Sequence, residues 1–461
     1  MTPLNRTGPR LETILAVLLA WALAVPVIAE PPAPTGRLTI YEVNLRQATP
    51  EGTLDAFRED HLPRLADMGV GILWLMPIHP IGELERKGGL GSYYAVRDYK
   101  AVNPEFGDKE DFREFVDAAH KAGMLVILDW VANHTAWDHP WTESNPEWFT
   151  KGEDGGFVPP VEAWSDVIDL NYNDPALRVE MLDALLYWVR EFGVDGYRCD
   201  VAELVPQEFW EDAIGAIRAE RSSVAEHDAA HRRPVFMLAE GAESWLHEAG
   251  FDATYGWGLF APLQSVRDGK ARAGAIWDYL ERERRELPRG AFRMLMTSNH
   301  DENSWNNTAL ERWGPMLDAA TVLTFTLPGM PLIYTGQEVA NETRLEFFDK
   351  DEVDWGDEPA AHPASRLYAE LIALKRRHPA LRHGPGAPRP ERLDVSVVTP
   401  GVPQDAVFAF RREMLGRSVV VAVNCIDQGL TASVEGVSAP IAFDAYGWSL
   451  FVDNRPWDGG R

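Results

Sequence analysis

Short apolar runs alternate with amphipathic segments from about residue 38 to residue 378, which predicts eight parallel strands linked by helices and closed into a (β/α)8 (TIM) barrel. Three observations carry this. Eight strand-like runs can be counted, helical patterns fall between them, and several runs end on an acidic residue. An open doubly wound sheet is the runner-up.

The strand-like runs cover 38–43, 72–76, 125–129, 194–200, 235–240, 253–256, 293–298 and 332–335. The helical patterns cover 53–68, 109–122, 175–192, 207–220, 271–286, 316–326 and 364–377. One connection is out of proportion, because after Asp129 no helix is expected before Pro175. Residues 135–173 hold Trp137, Trp141, Trp148 and Trp164 among Gly and Pro, as a short functional insertion after the third strand would. A proline-containing stretch at 383–390 precedes alternating short strands at 407–411, 418–424 and 447–452, which predict a C-terminal antiparallel β-sandwich domain. The expected organisation is a leader at 1–29, a catalytic barrel at 30–382 that includes the 135–173 insertion, and the β domain at 383–461.

The leader rests on Arg6 and Arg10 before an apolar run from residue 14 to 24, followed by Val27, Ile28 and Ala29, a small-residue cleavage pattern. That run is shorter than the ~20 residues needed to span a bilayer and is interrupted by Pro26. A secreted or periplasmic protein is expected, with no membrane insertion after cleavage and as a monomer. Formal net charge is −27, from 71 acidic against 44 basic residues. Such a surplus repels nucleic acid and anionic lipid and is indifferent to a neutral ligand such as a sugar chain. Only eight of the 44 basic residues are Lys, a balance suited to a salt-adapted surface or to a GC-rich genome. Cys199 and Cys425 each lie in a strand-like run and read as two buried free thiols.

Hydrolysis of a glycosidic bond with retention needs a carboxylate nucleophile and a carboxylic acid that protonates the leaving oxygen. Three acids close strand-like runs: Asp200, Glu240 and Asp301. One acid at a strand end is explained by capping or solvation, whereas three delivered to one barrel rim call for another reason. Arg198, two residues before Asp200, shares its strand face and can keep that carboxylate ionised. Met237, Leu238 and Ala239 give Glu240 an apolar setting that raises its pKa and suits it to be the acid. Asn299 and His300 add hydrogen-bonding groups beside Asp301. Trp137, Trp141 and Trp305 are candidates for sugar stacking, and Glu302 and Asn303 could reach a neighbouring subsite or cap the helix that follows.

In this order the motifs are specific. Asp129-Trp130-Val131-Ala132-Asn133-His134, Gly196-Tyr197-Arg198-Cys199-Asp200, Ala239-Glu240-Gly241 and Ser298-Asn299-His300-Asp301 resemble the third-, fourth-, fifth- and seventh-strand motifs of the α-amylase family of retaining glycoside hydrolases. Supporting matches are Gly71 to Pro77, Tyr94 through Tyr99, Asp169-Leu170-Asn171 and Pro328 to Glu338. The resemblance implies Asp200 as nucleophile, Glu240 as acid/base and Asp301 as transition-state stabiliser. It implies that Tyr94, His134, Arg198, His300 and Asp129 line the pocket of the cleaved sugar, with Asp129 orienting its neighbours. It also implies a possible structural calcium, for which Asn133 and Asp169 are the surviving candidate ligands; the chemistry itself needs no cofactor. Where many amylases carry a Lys-His pair just past the nucleophile, this chain reads Val201-Ala202-Glu203-Leu204, which leaves the leaving-group side open. The expected activity is retaining hydrolysis of α-1,4-glucosidic bonds in starch-like glucans or maltooligosaccharides. Its alternatives are a transglycosylase or isomerase acting on α-glucosides, or a non-catalytic binding relative.

Overall fold

Eight parallel strands close on themselves in the order β1-β8-β7-β6-β5-β4-β3-β2: β1 Ile40–Val43, β2 Ile72–Leu75, β3 Leu125–Trp130, β4 Gly196–Cys199, β5 Phe236–Ala239, β6 Ala253–Tyr255, β7 Phe292–Leu295 and β8 Met330–Tyr334. This computed structural model describes residues 35–227, 233–457 and 459. The expected leader at 1–29 lies outside the described residues. The barrel is closed and the open-sheet alternative is excluded. Every residue of these eight strands is buried. That is why they read as continuous apolar runs rather than as alternating ones. Gly196 is obligatory at the start of β4, since a Cβ there would sit 1.9 Å from the Phe236 carbonyl oxygen of β5 and its φ is +144°.

The crossover helices follow the sequence with few departures. Asp108 caps Lys109–Lys121 through a reciprocal capping box, and Asp174 with Pro175 starts Pro175–Phe192, which Gly193 ends in the left-handed conformation. The helix expected over 53–68 is two, Leu54–Asp60 and Leu62–Met68, joined at His61. Pro63 is the cause: it has no N–H for a carbonyl one turn earlier, and its ring is tolerated only in the first turn of a new helix. The helix expected over 207–220 continues to His227, and Phe260–Arg267 forms a helix that the sequence pattern did not reveal. The excursion after β3 contains a one-turn helix, Trp141–Ser144, and an antiparallel ribbon of His134–Ala136 with Val167–Asp169.

Two antiparallel sheets follow the barrel. Along the central strands Val407–Met414 and Arg417–Asn424, side chains alternate with period two. Phe408, Phe410, Val419, Val421 and Val423 extend the barrel's core, while Val407, Ala409, Val420 and Ala422 close a second core with Val397, Ala432 and Phe443 of the smaller sheet. The described residues therefore make one compact unit. Cys199 and Cys425 are both buried and free, as expected.

Two fully buried cations join the sheets to the barrel. Arg412 donates to the carbonyls of Thr326, Leu327, Pro388 and Arg382, and Lys375 donates to those of Phe325, Gly329 and Leu381. They cap the C-terminus of helix Leu317–Thr326, where unpaired carbonyls and the helix dipole favour positive charge. Arg412→Leu strands four carbonyl acceptors, those of Thr326 and Leu327 in buried bonds, so it is expected to cost about 2–5 kcal/mol of stability in denaturant unfolding. A loss below about 0.5 kcal/mol would show that these carbonyls find water instead.

Candidate active site

The strands place the candidate residues at one rim. Asp129 of β3 lies in register with Arg198 of β4, Arg198 with Leu238 of β5, and Asp200 and Glu240 immediately follow β4 and β5. Arg198 is wholly buried at their centre. Its Nη1 donates to Asp129 Oδ1 and to Asp200 Oδ1, both at 2.9 Å, and its Nε donates to the Tyr255 hydroxyl at 3.1 Å. Its Nη2 lies 2.9 Å from Glu240 Oε1, a close charge contact without hydrogen-bond alignment. The guanidinium also sits over the rings of Trp74, Tyr94 and Tyr255 at 5.1, 5.6 and 5.7 Å. One cation thus serves three carboxylates.

Burial sets their protonation. Desolvation raises Glu240 to about 7 and Asp200 to about 6, in each case against the opposing pull of Arg198. The expectation that Arg198 alone keeps Asp200 ionised is therefore incomplete: burial outweighs the ion pair and weakens the acidity of both carboxyls. Glu240 is further held by the Val201 N–H, which donates to Oε2 at 2.8 Å. Val201 itself is in the left-handed region at φ +34°, ψ +48°, a strained conformation for a β-branched residue, directly after Asp200.

A second chain of contacts runs along the other wall. Asp129 Oδ2 accepts from Trp74 Nε1 at 3.1 Å and from the Tyr94 hydroxyl at 3.0 Å, and that hydroxyl lies 2.8 Å from His300 Nε2. His300 Nδ1 meets Glu42 Oε1 at 2.5 Å, and its Nε2 lies 3.3 Å from Asp301 Oδ2. Burial lowers the imidazole's pKa, but Asp301 and Glu42 more than reverse this and hold it near 9, so it is a cation at neutral pH. Tyr94 and His300 rings stack at 5.4 Å and 20°. The Asp301 side chain is two-fifths exposed, unlike the nearly enclosed Asp200 and Glu240. His134 Nε2 stands 3.9 Å from Asp200 Oδ2.

All eight residues expected at the catalytic pocket, Asp129, Asp200, Glu240, Asp301, Tyr94, His134, Arg198 and His300, thus belong to one connected set of contacts. Glu42, Trp74 and Tyr255 belong to it as well and were not singled out from the sequence. A signal existed for Glu42: a lone carboxylate inside the all-buried strand Ile40–Val43 has no structural reason to be there unless it meets a charge. Of the Trp candidates, Trp141 packs against Tyr99, His139 and Trp148 within the excursion, and Trp137 is partly buried with its Nε1 donating to the Ser165 carbonyl. Trp305 alone of the three is largely exposed. Asn303 is buried and ties its segment to Thr343 and Leu345, while Glu302 pairs with Arg312.

Asn133 and Asp169 lie at adjacent positions of the ribbon, where His134 pairs with Asp169. They bring one amide and one carboxylate, and among the described residues no group of three His, Cys, Asp or Glu side chains is placed to hold a metal. Calcium takes six to eight hard oxygens, backbone and amide carbonyls among them, of which these two side chains would supply a part.

These acidities make a testable pH dependence. In the roles expected from the sequence, with Asp200 ionised and Glu240 protonated, the pair would give kcat/KM a narrow bell whose limbs, near pH 6 and 7, belong to the coupled cluster. Stability follows the opposite logic. Carboxylates that ionise near 4 when unfolded hold their protons to about 6 to 7 when folded. Their contribution is full below pH 4 and is lost as pH rises through 6 to 7. A flat rate profile from pH 5 to 8 would contradict the assignment.

The α-amylase catalytic-domain family model matches residues 44–154 and 162–240. An α-amylase from Lactobacillus plantarum of known structure is 30% identical, with a TM-score of 0.74 over 90% of this chain and 98% of that one. A maltogenic α-amylase, AmyB from Thermotoga neapolitana, is 27% identical, with a TM-score of 0.75 over 91% and 97%. An α-1,4-glucan:maltose-1-phosphate maltosyltransferase from Cereibacter sphaeroides is 30% identical over 351 residues, 70% of this chain and 55% of the relative. The α-amylase MalA of Haloarcula japonica is 28% identical over 417 residues, 86% and 57%. The chain thus spans little more than half the length of these last two relatives, while it matches the Lactobacillus enzyme almost end to end. With the ordered strand-end motifs, the closed barrel and that full-length likeness together, the chain belongs to the α-amylase family of glycoside hydrolases.

Proposed function

We propose that this protein hydrolyses α-1,4-glucosidic bonds in starch-like glucans or maltooligosaccharides with retention, through a covalent glycosyl-Asp200 intermediate. The observation that carries this reading is the single guanidinium of Arg198 spanning Asp200 and Glu240, both of whose acidities burial has weakened. In the first step Glu240 gives its proton to the glycosidic oxygen while Asp200 attacks the anomeric carbon. Asp200 becomes a neutral ester and Glu240 a carboxylate. In the second step Glu240 takes a proton from water as the water's oxygen displaces Asp200. The pair carries one negative charge in the free enzyme and one in the intermediate, so Arg198 faces the same total charge in both. Asp301 and the π-face of Tyr94 are the groups that meet positive charge developing on the sugar ring.

A transfer reaction shares the first step and differs only in which acceptor reaches the intermediate, and maltosyltransferases are among the relatives of comparable identity. Incubation with maltoheptaose and soluble starch separates the two. Shorter maltooligosaccharides with retained anomeric configuration support hydrolysis. Products longer than the substrate support transfer, and no turnover of either substrate overturns both.

A further inference from the structure

A cavity of about 680 Å³ lies away from the catalytic rim, where helix Ala273–Glu286 and the turn into β7 face the linker 383–390 that leads to the C-terminal sheets. Phe292 opens β7, and Leu327 and Pro328 precede β8, so the cavity sits at the N-terminal ends of these strands. Asp200, Glu240 and Asp301 lie past the C-terminal ends of theirs, which makes this a separate place on the molecule. Its volume is that of a small-molecule site. Phe292 and the partly buried Trp277 give it flat apolar lining, and the two loops that flank it touch: a Cβ at Gly290 would lie 3.3 Å from Pro385.

The charges around the cavity do not balance. Glu281 and Glu283 line it, but each is spent on an arginine of the same wall. Arg284 Nη2 lies 2.9 Å from Glu281 Oε2, and Arg293 Nε lies 2.7 Å from Glu283 Oε2. Arg289 and Arg389, one from each flanking loop, are exposed, and neither has an ion-pair or hydrogen-bond partner among the described residues. The positive sign continues inward. His383 is 1% exposed, and apart from the Thr35 backbone its ring meets no hydrogen-bonding group, so one of its two nitrogens is left unmatched. Burial, and then the charges of Lys375 and Arg412, push its pKa well below the usual imidazole range, so the ring is neutral at pH 7. Those two buried cations are met by carbonyls, and no carboxylate pairs with either among the described residues. In a chain of net charge −27 this is a local reversal of sign, and an unmatched buried polar group beside it calls for a partner.

We propose that this cavity binds a small organic anion, whose flat apolar body lies against Phe292 and Trp277 and whose carboxylate or phosphate head pairs with Arg289 and Arg389. His383 offers its unmatched nitrogen to a polar group at the buried end. An inorganic anion would leave most of the volume unfilled, and a neutral sugar would leave both arginines unpaired. Because such a molecule ties the turn before β7 to the linker, it would hold the barrel to the C-terminal sheets and raise the unfolding temperature. This site goes beyond the glycosidase reading and does not depend on it.

The test titrates 1-naphthyl phosphate, 1-naphthoate and 1-naphthol into the whole protein by calorimetry, in the parent, in the double variant Arg289→Ala/Arg389→Ala and in Ala387→Trp. The two anions are expected to bind the parent at one per protein, at least about tenfold more tightly than 1-naphthol, and to lose about tenfold or more in the double variant. Ala387→Trp fills the cavity without altering its charges and should abolish binding. Both variants change exposed or partly buried loop positions, so maltoheptaose turnover should stay at the parent's level and report that they fold. Absence of binding by either anion at millimolar concentration overturns the proposal. So does affinity that is unchanged in the double variant or in Ala387→Trp, or 1-naphthol binding as tightly as the anions.

Discussion

Asp200→Asn is expected to lower kcat on maltoheptaose by about four to six orders of magnitude, the range seen when a nucleophile is removed from an otherwise intact site. The substitution keeps the shape of the side chain and an oxygen for Arg198 Nη1, which is now 2.9 Å from Asp200 Oδ1, so the fold should hold. What disappears is the charge that attacks the anomeric carbon. The same change removes a negative neighbour that raises the pKa of Glu240, so any residual activity should have its alkaline limb at lower pH than the parent. Product chromatography and the pH profile read both effects. Activity within tenfold of the parent would remove Asp200 from the nucleophile role and with it the proposed mechanism.

Arg198→Leu is expected to be the most damaging single change to stability in the barrel, at about 3–5 kcal/mol near pH 7. The guanidinium touches Asp129, Asp200 and Glu240 inside the protein, and Leu would leave three buried acids without a cation. The cost should shrink as pH falls, because the folded protein can then hold these acids neutral. Arg198→Lys should fold and still lose most activity, since an ammonium is a point charge and cannot span two carboxylates as a planar fork does. Thermal unfolding of the three proteins at pH 5 and pH 7.5 tests this. An Arg198→Leu variant within 1 kcal/mol of the parent at pH 7.5 would mean that the acids are already neutral there.

Much of this site was legible before any coordinates. Parallel barrel strands are enclosed on both sides, so most left a largely apolar run, and an acidic residue ending such a run stood out; Asp129, Asp200 and Glu240 were visible for that reason. Helix starts were legible where a cap is local chemistry, as at Asp108 and at Asp174 before Pro175. The break at His61 was also written locally, in Pro63, but the amphipathic pattern runs on through it in the same phase and hides the interruption.

The sequence by itself determined the strand count, the order of the motifs and which carboxylates end which strands, because these depend on spacing along the chain. Tertiary structure alone decided that Glu42 and Asp301 share His300, that Tyr255 and Trp74 enclose Arg198, and that Trp305 rather than Trp141 faces outward. Glu42 and His300 are 258 positions apart, and closure of β1 onto β8 brings their strand ends to one rim. The acidities were decided there too. Glu240 becomes an acid near 7 chiefly because folding removes water from around it, and also because it brings Asp200 and Asp301 near.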